Sequence, residues 1–366
     1  MGLFRVVTFA VLPFITSSIS LAQPEVVIRS TTRLVQVQVV ANGRQGKLVR
    51  DLRREEFEIL DDGKPQPLAF FTAGPMSAPL EPGPLETRTD NRKPAAGEYT
   101  VVLLDWLNAG IADRLRADSA LRDVLKTFRP RQKIALYVLG LEPPRSPHPL
   151  RLIRNFTSDA AETGDVIEDP FILPNPEIAE VPGMFDARYG GHGRSLGIEE
   201  QLFDWNNRIL DTLRALSELT DRMAPLHGRK TLLWLSTGFP EVINGSVVAG
   251  ARSAEVVYLD LVERALARFN RWDITVHTVN TSGLGATGRS YGATLRDFAE
   301  RTGGIAFSGR NDLAEGVRAA LDDIESGYVL GFRVPEGSTP GVHTINVRTS
   351  RPHVNLRFRR TYELAR

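Results

Sequence analysis

The sequence predicts an α/β fold, with a mostly parallel central sheet and helices on both faces, joined to a β-sandwich-like domain built from the N- and C-terminal segments. Three observations carry this reading. Between residues 98 and 326, β-branched apolar runs alternate repeatedly with segments of helical period, the pattern of strands linked by crossover helices. Thr100 to Leu104 is continuously apolar or β-branched and ends on a lone acid, Asp105, as a buried strand does when it delivers a carboxylate to the ligand edge of an open sheet. The two ends of the chain alternate with period two, and each is too small to bury a core alone, so they are expected to pack together.

Composition sets the outer bounds. The 366 residues are 42% hydrophobic, enough for real cores. Lys and Arg number 45 against 44 Asp and Glu, and a net charge of +1 provides no field for steering nucleic acid or an anionic membrane. No nucleic-acid partner is therefore expected. Absence of cysteine excludes disulfides, thiolate metal ligands and a thiol nucleophile.

In chain order, residues 1–22 read as a secretory signal peptide: a short basic start, an apolar run from Val6 to Ile19, and Ser20-Leu21-Ala22 before cleavage near Ala22. The run is too short and too interrupted for a membrane span, and no later stretch qualifies, so the mature chain is expected to be exported, periplasmic or secreted. Residues 23–72 form an N-terminal β segment. Val35, Val37 and Val39 alternate with Gln36 and Gln38, a strand with one wet face, and Asp62-Gly63 marks a hairpin turn. Residues 73–97 are a Pro-rich linker. Strands are expected at 99–104, 133–139, 150–153, 231–235, 274–279 and 305–307, with amphipathic helices between them. Gly303 supplies a left-handed helix cap, and Asn311-Asp312 caps the last helix. Residues 165–198, rich in Pro and Gly, form a long insertion. Residues 327–366 form a C-terminal β meander, in which Arg357 and Arg359 line the solvated face of a strand.

The segments YTVVLLDWLNA, RLIRNFTSD, GRKTLLWLSTGFP, DITVHTVNTSGLG, LRDFAERTGGIAF and ESGYVLGF, in that order, resemble successive landmarks of von Willebrand factor A domains. With RLVQVQVVANGRQGKLVRDLRREEFEILDDGKPQ before them, the resemblance is to the VWFA-related family best represented in acidobacteria, and it spans roughly Val26 to Tyr362. It implies a Rossmann-like A domain over 98–326 with flanking β segments. It also implies a metal-ion-dependent adhesion site, in which such domains set a DxSxS motif after the first strand, a loop threonine and a later aspartate around a divalent cation. Asp105 matches the first aspartate. Leu107 and Ala109 stand where the serines belong, Thr237 stands where the late aspartate belongs, and Thr157 is the counterpart of the loop threonine. The site is degenerate: Asp105, Asn108, Ser236 and Thr237 would hold Mg²⁺ weakly at most, and no cofactor is expected.

Other motifs give no chemistry. HGRKT at 227–231 lacks phosphate-loop spacing, the six histidines lack metal-ligand spacing with His277 read as a core residue, and no GxSxG elbow is present. The expectation is a non-enzymatic protein-binding module of the cell envelope or extracellular space. Its partner would meet Asp105, Asn108 and Thr237, together with Phe171, Phe185 and Tyr189 of the insertion. A cation-dependent binder and an envelope hydrolase with a dispersed active site are the alternatives.

Overall fold

The computed structural model describes residues 34–73, 97–127, 133–140, 149–157, 198–226, 228–239, 242–243, 256–282, 291–308, 312–335 and 337–364. The segment expected to be a signal peptide, nearly all of the expected linker and residues 165–197 of the expected insertion lie outside these.

The first strands are β1 (Leu34–Asn42), β2 (Phe57–Asp61), β3 (Lys64–Gln66) and β4 (Leu68–Ala73). Asp62 (φ 47) and Gly63 (φ 78) both turn left-handed between β2 and β3, as a tight hairpin with right-twisted strands requires. The middle of the chain follows as β5 (Gly97–Asp105), α1 (Ile111–Thr127), β6 (Lys133–Leu139), β7 (Leu150–Thr157), α2 (Ile198–Met223), β8 (Gly228–Ser236), the short strands β9 (Val242–Ile243) and β10 (Val256–Val257), α3 (Leu259–Arg271), β11 (Ile274–Asn280), α4 (Gly292–Thr302), β12 (Ala306–Phe307) and α5 (Leu313–Glu325). The tail supplies β13 (Tyr328–Arg333), β14 (Gly341–Thr349), β15 (Asn355–Phe358) and β16 (Thr361–Leu364).

The central sheet runs β12-β11-β8-β5-β6-β7, parallel throughout except for the antiparallel edge strand β7. Because successive side chains point to opposite faces, Val101, Leu103, Leu232 and Trp234 meet α2, α3 and α4 through Leu216, Leu266 and Phe298. Val102, Leu104, Leu233 and Leu235 meet α1 and α5 through Leu121 and Leu321 on the other face. Gly303 takes φ 85 as the left-handed cap of α4, and Asp312 caps α5 by accepting a bond from the Glu315 amide. No described helix is long and apolar enough to cross a membrane.

The terminal strands form two antiparallel four-stranded sheets, β15-β1-β13-β4 and β16-β14-β2-β3. One apolar cluster joins Val37 and Val39 of β1, Ile59 of β2, Leu330 and Phe332 of β13, Ile345 and Val347 of β14, and Tyr362 of β16. The tail is not the expected meander. β13 pairs with β1 and β4, β14 with β2 and β16, and β15 with β1, so consecutive tail strands join different sheets. Alternation defines the apolar face of a strand and not its neighbour, and β1 and β2 offer the open edges.

Two expected wet faces are also corrected. Gln38 is buried, and its Oε1 accepts bonds from Arg229 Nε (3.0 Å) and Thr275 Oγ1 (3.2 Å). Arg357 donates to the Gly303 carbonyl (3.1 Å) and forks onto Asp323, while buried Arg359 donates to the carbonyls of Asn270 and Gln36. These polar faces pack against the α/β body, where backbone carbonyls and buried acids replace water as partners. Arg229, Thr275 and Asp273 all lie where the parallel strands begin, so the terminal sheets occupy the edge opposite Asp105.

Candidate functional site

The last residues of two adjacent strands meet at the other edge. Asp105 ends β5 and Ser236 ends β8, and both continue the face that carries Leu103 and Trp234. Period two therefore turns their side chains toward the same side of the sheet. The carboxylate has no exposed surface. Its Oδ2 accepts Ser236 Oγ–H at 2.6 Å, Asn108 Nδ2–H at 2.8 Å and the Trp234 indole N–H at 3.3 Å, while Oδ1 accepts the Asn108 amide at 3.0 Å.

The donors are themselves held. Ser236 Oγ accepts the Gly238 amide (2.9 Å), Asn108 Nδ2 also reaches Thr212 Oγ1 on α2 (2.9 Å), and Thr237 Oγ1 donates to the Asn108 carbonyl (2.8 Å). Tyr291 N donates to the Thr237 carbonyl (3.0 Å). Gly238, at φ 78, is required here, since a Cβ would lie 2.4 Å from the Tyr291 carbonyl oxygen. One carboxylate thus ties the turn after β5 to the loop after β8.

Electrostatically the carboxylate is fully buried, and the groups that bond to it, from Asn108, Trp234 and Ser236, are all neutral. Burial pushes the Asp105 carboxyl above its ordinary range, while the bonds from Ser236, Asn108 and Trp234 pull in the other direction by stabilising the ionised form. Leu107 and Ala109 are buried apolar side chains and contribute no oxygen. The Leu107 amide is spent on the Leu139 carbonyl at 2.9 Å. The Ser236 hydroxyl donates to the carboxylate, and no histidine is among the described partners of Ser236.

The structure brings Asp105, Asn108, Ser236 and Thr237 together. Thr157 does not join them: antiparallel β7 sets it beside Ile134, at the start of β6 and the far edge of the sheet. Phe171, Phe185 and Tyr189 lie outside the described residues. Trp234 and Thr212 were missed by sequence reasoning. Trp234 stands two residues before Ser236 on the same strand face and was legible by period; Thr212, on a helix far away in sequence, carried no such signal.

No family model matches the sequence, and no curated protein matches it either. Solved structures do. A von Willebrand factor type A protein from Catenulispora acidiphila is similar at 10% identity and a TM-score of 0.36, over 74% of this chain and 67% of that one. The manganese-loaded TRAP protein of Plasmodium vivax is similar at 9% identity and a TM-score of 0.33, over 73% of this chain and 94% of that one. The pilus adhesin RrgA of Streptococcus pneumoniae is similar at 8% identity and a TM-score of 0.30, over 89% and 66%. Likeness of this order identifies neither a ligand nor an activity.

Proposed function

We propose that this chain is an exported, non-enzymatic protein-binding module, an adhesion or scaffolding protein of von Willebrand factor A type. It works in the periplasm or outside the cell and binds its partner without a cation at Asp105. The observation that carries the reading is the Asp105 network. Both carboxylate oxygens accept bonds from neutral donors of the same chain, and buried Leu107 and Ala109 occupy the places where cation ligands would stand. A hard divalent cation needs several oxygens free to face it. Here the carboxylate instead shapes the loops around Asn108 and Thr237, and these loops form the partner-binding edge, with the 165–198 insertion proposed on its sequence alone to add contacts to the partner. The terminal sheets make a sandwich-like domain that supports the opposite edge.

Capture from an envelope fraction tests this, with the chain from residue 23 onward immobilised as bait and cross-linked partners identified by mass spectrometry. Recovery should persist when Mg²⁺ is withheld and should fall when 165–198 is replaced by a short Gly-Ser linker. A partner equally recovered after that replacement and by Asn108→Ala would overturn the reading. A melting temperature raised by millimolar Mg²⁺ in the wild type, but not in Asp105→Asn, would return the cation-dependent alternative.

A further inference from the structure

The terminal sheets hold a second cluster of titratable side chains, remote in function from Asp105. Asp61 closes β2, Asp62 opens the hairpin turn, and His343 lies on β14; one donor atom from each falls within 4.8 Å of the others. His343 Nδ1 stands 2.8 Å from Asp62 Oδ2 and 3.8 Å from Asp61 Oδ1. Asp61 is 6% exposed, and its Oδ1 is buried with no hydrogen-bond partner although it faces the imidazole. An ionised oxygen buried in this way is costly unless something else binds it.

The far atom of each residue is fixed from outside the cluster. Tyr362 O–H donates to Asp61 Oδ2 (3.0 Å), and its ring stacks on the imidazole with centroids 5.0 Å apart. The Thr344 amide (2.8 Å) and hydroxyl (3.0 Å) donate to Asp62 Oδ1. The Thr339 carbonyl lies 2.7 Å from His343 Nε2, so that nitrogen carries the proton and Nδ1 is the one turned inward. Outer partners that fix the tautomer and carboxylate orientation in this way are what metal ligands need. Around a first-row divalent ion with bonds of about 2.1 Å, neighbouring donors sit roughly 3.0–3.4 Å apart; the observed 2.8 and 3.8 Å bracket that span.

We propose that Asp61 Oδ1, Asp62 Oδ2 and His343 Nδ1 form a binding site for a first-row divalent cation of Zn²⁺ or Mn²⁺ type, completed by water. One imidazole with two carboxylates favours such an ion over Ca²⁺ or Mg²⁺, and two negative charges neutralise it. Bound there, the ion clips the β2–β3 turn to β14. Without it, a proton on Nδ1 has to face Asp62, and the cation takes that proton's place. The proposal is independent of the reading at Asp105.

The test uses the untagged chain from residue 23, stripped of metal by chelation, with ZnCl₂ and MnCl₂ as probes in isothermal calorimetry and ¹⁵N imidazole NMR. One ion per chain should bind and shift His343 Nδ1. Asp61→Asn and Asp62→Asn should abolish this, with circular dichroism unchanged in at least the exposed Asp62 variant. Tyr362→Phe should weaken binding roughly 10-fold, as loss of an outer partner does, and Asp105→Asn should leave it intact. No binding at millimolar metal, or binding that survives both aspartate variants, would overturn the proposal.

Discussion

At the residue scale, Ser236 makes the shortest contact to the buried carboxylate and also accepts the Gly238 amide. Ser236→Ala removes a charge-assisted bond and leaves a buried amide without its acceptor, an expected loss of about 2–3 kcal/mol in urea unfolding. Equal stability of variant and wild type would mean that the network contributes nothing. The grouping of Asp105, Asn108, Ser236 and Thr237 came from the resemblance to A domains, and the structure brings them together because strand ends in a parallel sheet converge at one edge. Period two along the strand also puts Trp234 on the face of Ser236, but nothing local shows that Thr212, on a helix distant in sequence, completes the bonding. The same limit explains Gln38 and Arg359: alternation marks them as polar and does not say whether water or another part of the chain meets them.

At the element scale, Phe70 of β4 pairs with Gly331 of β13, where an added Cβ would lie 2.1 Å from the Phe70 ring. Gly331→Ala should cost about 1–3 kcal/mol by overpacking, and Phe70→Leu should recover part of that loss in the double variant. The joint between β2 and β14 depends on charge. Arg351 forks onto Glu56 (2.7 and 2.8 Å) and reaches Asp51 (2.6 Å). That guanidinium, with the Arg53 amide, holds the Glu56 carboxyl below its ordinary 4.5. A depressed carboxylate stabilises the fold above its unfolded value and ceases to do so as pH falls through the folded one. The melting temperature should therefore drop as pH descends below 4.5, and Arg351→Ala should flatten that part of the curve. The strand periods were legible almost residue by residue, Lys133–Leu139 included, whereas the pairing of the tail strands was not, because a period carries no partner's name.

At the scale of the whole molecule, the terminal sheets and the α/β body meet through buried charge. Asp323 of α5 faces Arg357 of β15 and lies 3.7 Å from His277 of β11. Burial holds the His277 imidazole well below its ordinary value, and the positive fields of Arg357 and Arg229 add to this. Arg357→Ala leaves Asp323 buried without its main partner, and should cost about 3–5 kcal/mol. Two-dimensional NMR should show the His277 pKa rising in that variant. Asp323→Asn combined with it should cost less than the single change, the non-additivity of a shared network.

The placing of β1 between β13 and β15 also sets an order of events in time. Leu52 and Tyr328, which bond across this region, stand 276 residues apart. At ordinary elongation rates the ribosome needs roughly 15–55 s to make what separates them. Throughout that interval β1 is an apolar strand with two open edges, the kind of segment that seeks other chains. Pulse-labelled nascent chains should keep residues 34–42 sensitive to protease until the tail emerges, and a chain ending at 326 should aggregate where the complete one does not.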